Sequence, residues 1–237
     1  MEGRLRPGDV LRGGGGREAR ILAWHAEGSF ARVYRAEVVG GGYVAAKIAK
    51  AEVPDAARRL RVEAAALRRA QHPRLVRLRD TGERGGLPFN LLEWVEGITL
   101  REMVIQYRRL PLAQALTALR DAAEALAALH RHGLAHGDLR PENLILSRRE
   151  AILIDLDSAA AASDAARAAD IAGLGWVLHL ALTGAEPCDP AAPLSVRCGH
   201  HPEAVALFSR LRRDASPPLS AADAAHAAAQ LLRQLET

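Results

Sequence analysis

The chain has 237 residues, 49% hydrophobic and 25% charged, with a formal net charge of +4, which excludes the disordered and collagen-like classes. Aromatics make up only 4% and the basic residues form no dense block. The excess charge therefore reads as a solvated surface, and no nucleic-acid partner is expected.

Residues 1–20, with Gly13–Gly16 among charges, read as a flexible lead-in. No strand precedes those glycines and no helix follows them, so they are not a phosphate loop. The start also lacks an apolar signal core. Ile21–His25 reads as a strand, Ala26–Ala31 as a turn, and a second strand follows through Val33 and Tyr34. Gly40–Gly42 makes a hairpin into a third strand, Tyr43–Ala49, with Val44, Ala46 and Ile48 on one face and Ala45 and Lys47 on the other. Of 32 basic residues only Lys47 and Lys50 are lysine, which makes a retained lysine informative, because its compact ammonium differs from a guanidinium fork.

Pro54 opens a helix to about Ala70 on which Leu60, Glu63 and Leu67 share a stripe. A carboxylate there needs a partner, because an unpaired buried charge is costly. Lys47 is the natural candidate, and local pairing with Arg59 or Arg68 is the alternative. After His72-Pro73, the residues Leu75, Val76 and Leu78 suit a strand, as does Phe89–Glu93. Thr99-Leu100-Arg101-Glu102 is a capping box opening a short helix. A longer helix, Leu112 to His130, is apolar at 112, 115, 116, 119, 123, 126 and 129 and stops at Gly133.

The chemistry concentrates in His136–Asn143, H-G-D-L-R-P-E-N. Pro141 fixes its own φ and turns Arg140 away from helix, so a shaped loop is expected there rather than a helical turn. Twelve residues beyond Asn143, the apolar run Ala151–Ile154 ends in Asp155-Leu156-Asp157. An acid, an amide and a second acid placed by two short strands suit a divalent metal and a proton acceptor. A loop with a capping Asp and an Asn in a turn is the plainer reading. The apolar stretch Ile171–Leu182, which contains His179, is too short to span a bilayer, so no membrane segment is expected. In Gly184–Pro202, Cys188, Cys198, His200 and His201 lack the paired spacing of a zinc knuckle. Two cysteines make no disulfide framework either, and a reducing cytoplasmic location is the expectation. Glu203–Arg213 and Ser220–Leu235, capped by Ser220, read as the last helices.

The order of these motifs resembles the eukaryotic-like serine/threonine protein kinase family of bacterial type, in which H-R-D-L-x-x-x-N precedes D-F-G. The resemblance covers residues 21–237. It implies an α+β, two-lobed fold with a β-rich N-lobe carrying one helix (21–93), a hinge (94–97) and a mainly helical C-lobe (98–237). It also implies ATP with Mg2+, or Mn2+ in its place, and a hydroxyl acceptor on a protein or small molecule. Asp138 would be the proton acceptor, Arg140 would touch the transferring phosphate, and Asn143 and Asp155 would hold the metal. Lys47 and Glu63 would orient the phosphates, Val44–Lys47 being similar to V-A-I-K. The stretch 26–33 is similar to the glycine-rich loop, with Gly28 at its middle glycine and Val33 at its valine, although an ordinary hairpin turn fits it as well. Ala45, Leu92 as gatekeeper, the backbones of Glu93 and Val95, and Ile145 would surround adenine. Leu67, Leu78, His136 and Leu156 match a hydrophobic column, and Asp170–Gly175 matches D-x-x-x-L-G, whose Asp buttresses the catalytic loop.

The departures carry information of their own. Ala26 and Ala31 replace the outer loop glycines, Gly137 replaces the catalytic-loop arginine, and Arg140 replaces a lysine. Asp157 replaces the glycine of D-F-G, a position where Asp tolerates left-handed backbone and could add a metal ligand. Only twelve residues separate Asp157 from Asp170, without A-P-E, and their alanines predict a helical run into Asp170. The H-G-D and I-D-x-D patterns are also similar to small-molecule kinases. The expected function is therefore a protein serine/threonine kinase, with a small-molecule or lipopolysaccharide-type kinase and a nucleotide-binding pseudokinase as alternatives.

Overall fold

The computed structural model describes residues 4–147, 150–186, 201–212, 215 and 219–235. Cys188, Cys198 and His200, and Arg213 at the end of one predicted helix, lie outside them. The fold is α+β, as expected, and forms two compact units. One comprises the chain up to Gln71 with Val76–Val95 and Leu156–Ser158; the other comprises His72–Leu75, Glu96–Asp155 and the chain from Ala159.

The first unit is built on an antiparallel six-stranded sheet in the order β1-β2-β3-β4-β6-β5. Its strands are β1 Val10–Arg12, β2 Glu18–Glu27, β3 Ala31–Val38, β4 Tyr43–Ala49, β5 Leu78–Arg84 and β6 Leu87–Glu93, and helix α1 spans Ala56–Arg69. Alternation sends Val44, Ala46 and Ile48 into a core with Leu11, Ile21, Tyr34, Phe89 and Leu91. Register places Val33 and Asn90 opposite Lys47, and Leu92 opposite Ala45. Val33, Ala45, Lys47, Asn90 and Leu92 therefore line the other face, because directly paired residues and those two apart point the same way.

Two expectations are corrected here. The lead-in is not flexible throughout, since β1 pairs with β2. Its glycine turn is fastened by the Asp80 carboxylate, which accepts from the backbone N–H of Gly15 at 3.1 Å and of Arg17 at 3.2 Å. Leu75 and Val76 precede β5 rather than opening it: Leu75 makes only an isolated parallel bridge, to Leu153.

In the second unit, β7 Ile98–Thr99 leads into α2, Leu100–Tyr107, and α3 spans Leu112–Arg131. The predicted capping box forms at Thr99 and Glu102. Alanines on α3 allow close approach, and the helix packs against α4 (Asp164–Thr183), α6 (Ala221–Leu235) and the short strand β10 (Ala151–Leu153). Strand β9, Leu144–Leu146, pairs with β10 and β7. Strand β8, Leu134–Ala135, pairs with β11, Ala160–Ala161. Helix α5 runs Pro202–Leu211.

The loop expected across His136–Asn143 is corrected in its second half, where Pro141–Asn143 is one turn of 3-10 helix. Arg140 is extended, as the following proline demands, but a proline's fixed φ also suits the first position of a helical turn. Helix α4 outruns the apolar stretch read from sequence. It is the one helix among the described residues that is long and apolar enough to cross a membrane by length and composition, and 61% of that window is buried inside the protein.

Candidate active site

In the first unit, α1 turns Glu63 inward and β4 turns Lys47 toward it. Lys47 Nζ lies 2.9 Å from Glu63 Oε1, and both side chains are buried. The two arginines weighed as local partners for Glu63 bond elsewhere, Arg59 to Asp157 and Arg68 to Thr81. The second carboxylate oxygen accepts from Asn90 Nδ2 at 2.9 Å, and the same amide also donates to the Leu60 carbonyl. Sequence reading passed over Asn90, although a lone amide in the apolar run Leu87–Leu92 was a visible signal.

Gly28 donates its N–H to the Ala31 carbonyl at 2.9 Å in the turn between β2 and β3. A Cβ there would meet only that oxygen, at an ordinary 3.6 Å. Among the described residues no contact therefore demands glycine at this position. Phe30, next along the turn, is buried with Ala31, Ala49, Ala56 and Leu60. Leu92 is buried, Val33 and Ala45 are half-buried, and the Glu93 N–H bonds the Arg77 carbonyl at the end of β6. Val95 follows β6 and is half-buried. Of the hydrophobic column, Leu67, Leu156 and His136 are buried and Leu78 is half-buried.

In the second unit, α4 presents Asp170, which is 1% exposed, to the loop after β8. Its Oδ2 accepts from the His136 N–H at 2.9 Å and its Oδ1 from the Gly137 N–H at 3.0 Å. His130 Nε2 lies 2.9 Å from Oδ2, and because a carboxylate only accepts, that nitrogen carries the proton. Gly137 has φ 81°, a left-handed conformation that suits glycine. A Cβ on Gly173, one turn along α4 from Asp170, would sit 2.7 Å from the Leu139 carbonyl oxygen. Helix and loop thus touch through backbone on one side and a saturated carboxylate on the other.

On this pinned loop Asp138 is exposed. Its N–H faces His136 Nδ1 at 3.3 Å, and its carbonyl accepts Asn143 Nδ2 at 2.9 Å. The Asn143 amide oxygen consequently turns the other way. Asn143 also accepts, through its carbonyl, the Ile154 N–H, which sets the residue before Asp155. Asp155 has φ 64°, strained for a residue other than glycine. The left-handed residue of Asp155-Leu156-Asp157 is thus the first and not Asp157. The expectation of left-handed backbone at Asp157 is corrected, and its buried carboxylate takes Arg59 NH1 at 3.0 Å and Ser158 Oγ at 3.1 Å. Ile145 on β9 is half-buried.

Arg140 is less available than expected. Its Nε donates to Glu142 at 3.0 Å, and Glu142 also accepts Arg101 Nε at 2.8 Å. The hydrogen bond with Glu142 raises the Arg140 pKa. Burial acts upward on the Glu142 carboxyl, but the bonds from Arg140 and Arg101 outweigh it and hold it below the ordinary glutamate value. Among the described residues no cluster of three or more His, Cys, Asp or Glu is arranged to hold a metal. What Asp155 and the Asn143 amide offer is hard oxygen, the donor type suited to magnesium or manganese.

The family model for the protein kinase domain matches residues 26–177. Serine/threonine-protein kinase PknB of Mycolicibacterium smegmatis is 30% identical over 213 residues, covering 75% of this chain and 34% of that protein. PknB of Mycobacterium tuberculosis is 29% identical over 210 residues, with 74% and 32% covered. PknL of the same species is 42% identical over 89 residues, 38% of this chain and 22% of that protein. The chain spans about a third of the length of the curated PknB relatives that it matches.

Proposed function

Since the chain belongs to the protein kinase domain family, we propose that it is an ATP-dependent serine/threonine phosphotransferase in which Asp138 takes the proton of the acceptor hydroxyl. The observation that carries this reading is the loop itself. Asp170 fixes the backbone of His136 and Gly137, and Asn143 fixes the Asp138 carbonyl, while the Asp138 side chain stays exposed. A carboxylate on an immobilised backbone can orient a hydroxyl and receive its proton as the oxygen bonds to the γ-phosphorus and the bond to ADP breaks. Lys47, held by Glu63, supplies a point charge to the phosphates. The family uses a divalent metal; Asn143 and Asp155 would hold it, as magnesium or manganese, and when bound it neutralises charge on the β- and γ-phosphates. Because the reaction consumes ATP, the module works on the cytoplasmic side.

A second reading has one observation in its favour. The segment after Asp157 is short and is taken up by β11 and the first turns of α4, which leaves little chain for a peptide shelf and suits a small-molecule or lipopolysaccharide-type acceptor. A screen with radiolabelled ATP and magnesium over peptide and metabolite acceptors separates the two. In the acceptor found, Asp138→Asn is expected to lose roughly 10²–10⁴-fold in turnover while ATP affinity stays within threefold of the parent. Transfer at the parent rate would remove Asp138 from the role of base. Nucleotide binding without any transfer would identify a pseudokinase.

A further inference from the structure

Helix α1 enters without help from its own first turn. Asp55 sits at its N-cap in a left-handed conformation, makes no side-chain cap, and no acidic residue occupies the first turn. One turn before Glu63, however, Arg59 reaches out of the helix to Asp157, NH1 to Oδ2, at 3.0 Å. The Asp157 side chain is only 7% exposed, and among the described residues Arg59 is the cation paired with it. The Arg59 guanidinium also lies 5.5 Å from the centre of the Phe30 ring, and Lys47 Nζ lies 4.8 Å from the same ring. Two cations from different elements thus lie against one buried aromatic ring. Arg59 and Glu63 are four residues apart on one side of α1, each closing a charge pair with a different part of the chain.

We infer that Arg59 and Asp157 form a clamp that holds α1 where Glu63 meets Lys47, which makes them positioning residues for the phosphoryl transfer proposed above. The clamp itself rests on geometry alone; only its consequence for turnover rests on that functional reading. An internal carboxylate–guanidinium pair here performs the ordering that charge-assisted bonds to a loop phosphate perform elsewhere. It fits a chain whose Gly137 offers no cation to such a phosphate. Asp157 on this view is committed to Arg59 and is not a metal ligand.

Hydrogen exchange by mass spectrometry tests the clamp without requiring activity. In Arg59→Ala and in Asp157→Asn, amides of α1 are expected to exchange at least tenfold faster, with β3 and β4 unchanged. The double variant should be no faster than the faster single. Unaltered α1 exchange in either single variant, or effects that multiply in the double, would overturn the clamp. Arg59→Lys retains the cation and is expected to keep α1 exchange and kcat within threefold of the parent. Behaviour like a failed fold or like Arg59→Ala would overturn it. In turnover, each clamp-breaking single variant is expected to lose tenfold or more in kcat at an unchanged half-saturating magnesium concentration. A tenfold higher magnesium requirement in Asp157→Asn, with α1 protection intact, would make Asp157 a metal ligand and overturn the inference. A parent protein that transfers no phosphate would refute the functional reading and the positioning role, while the exchange pattern still decides the clamp.

Discussion

Replacing Asp170 by asparagine isolates what its second carboxylate oxygen does. The buried carboxylate meets three donors: the N–H groups of His136 and Gly137 and the His130 Nε2. An amide keeps most by placing its oxygen at the Oδ2 position, toward His136 and His130, which points its NH2 at the Gly137 N–H. One donor then faces another, an orphaning that costs about 1–3 kcal/mol, and two charge-assisted bonds become neutral ones worth about 1 kcal/mol less each. Gly137 is exposed, so water relieves part of the loss, and about 2–3 kcal/mol remains. For a domain of this size each kcal/mol is worth about 2–4 °C, so Tm should fall by roughly 4–12 °C. Thermal unfolding checks the first number. Turnover assayed well below Tm should fall at least tenfold, because the loop carrying Asp138 loses one of the two backbone bonds that Asp170 makes to it, whereas ATP affinity should stay within threefold. A Tm within 2 °C of the parent together with unchanged turnover would refute the assignment of Asp170 as the fixture of the loop.

Three further outcomes are expected. Lys47→Arg should lose tenfold or more in kcat/KM for ATP, because the larger planar group overfills the buried space beside Glu63 and Phe30; undiminished kcat/KM would reduce Lys47 to a generic cation. Glu142 has its folded pKa depressed, so the stability it contributes is present above its unfolded value of about 4.3 and is lost as pH falls through the lower folded value. Urea titrations from neutral pH into that acid range should show a shallower loss of stability in Glu142→Gln than in the parent, and identical slopes would show that the Arg140 and Arg101 bonds are not coupled to folding. Finally, phosphatase-treated protein and a Ser158→Ala/Ser163→Asn variant should turn over within threefold of untreated protein, asparagine being chosen because it can still cap α4 as Ser163 does. A tenfold drop, about 1.4 kcal/mol in barrier terms, in both would establish a phosphate switch despite Gly137.

The parts of the site legible in the sequence are those whose signal is local or periodic. Glu63 declared itself by falling on the Leu60–Leu67 stripe, the capping box by its four-residue spacing, and α3 by its apolar period. Alanines after Ser158 announced α4, which begins at Asp164 behind the Ser163 cap. What stayed hidden depends on partners far apart in the chain. Arg59 and Asp157 are 98 residues apart, and no pattern near either names the other. Asp121, buried on α3, accepts the Ala151 N–H at 2.8 Å, but on paper it is only a polar break in an apolar helix. The lead-in looked unstructured because four glycines carry no periodicity, and the ordering comes from Asp80, 65 residues beyond Gly15. The left-handed residue was misplaced for a related reason: both Asp155 and Asp157 tolerate that conformation, and only the surrounding bonds choose between them.

The same choice runs through three aspartates of the site. Side-chain chemistry is identical in Asp138, Asp157 and Asp170, so their roles must come from what donates to each. Asp170 is buried and saturated by three donors; its charge is already spent on holding backbone, and accepting a substrate proton there would release the loop. Asp157 is buried against one guanidinium and one hydroxyl, so protonating it would strand Arg59. Asp138 is exposed, and two bonds that hold its residue run through its own N–H and carbonyl. Proton uptake by its side chain therefore leaves those two backbone bonds of the catalytic loop intact. A general base must change charge in every turnover without disturbing its own placement, and this is why Asp138, rather than Asp157 or Asp170, is the one proposed for that role.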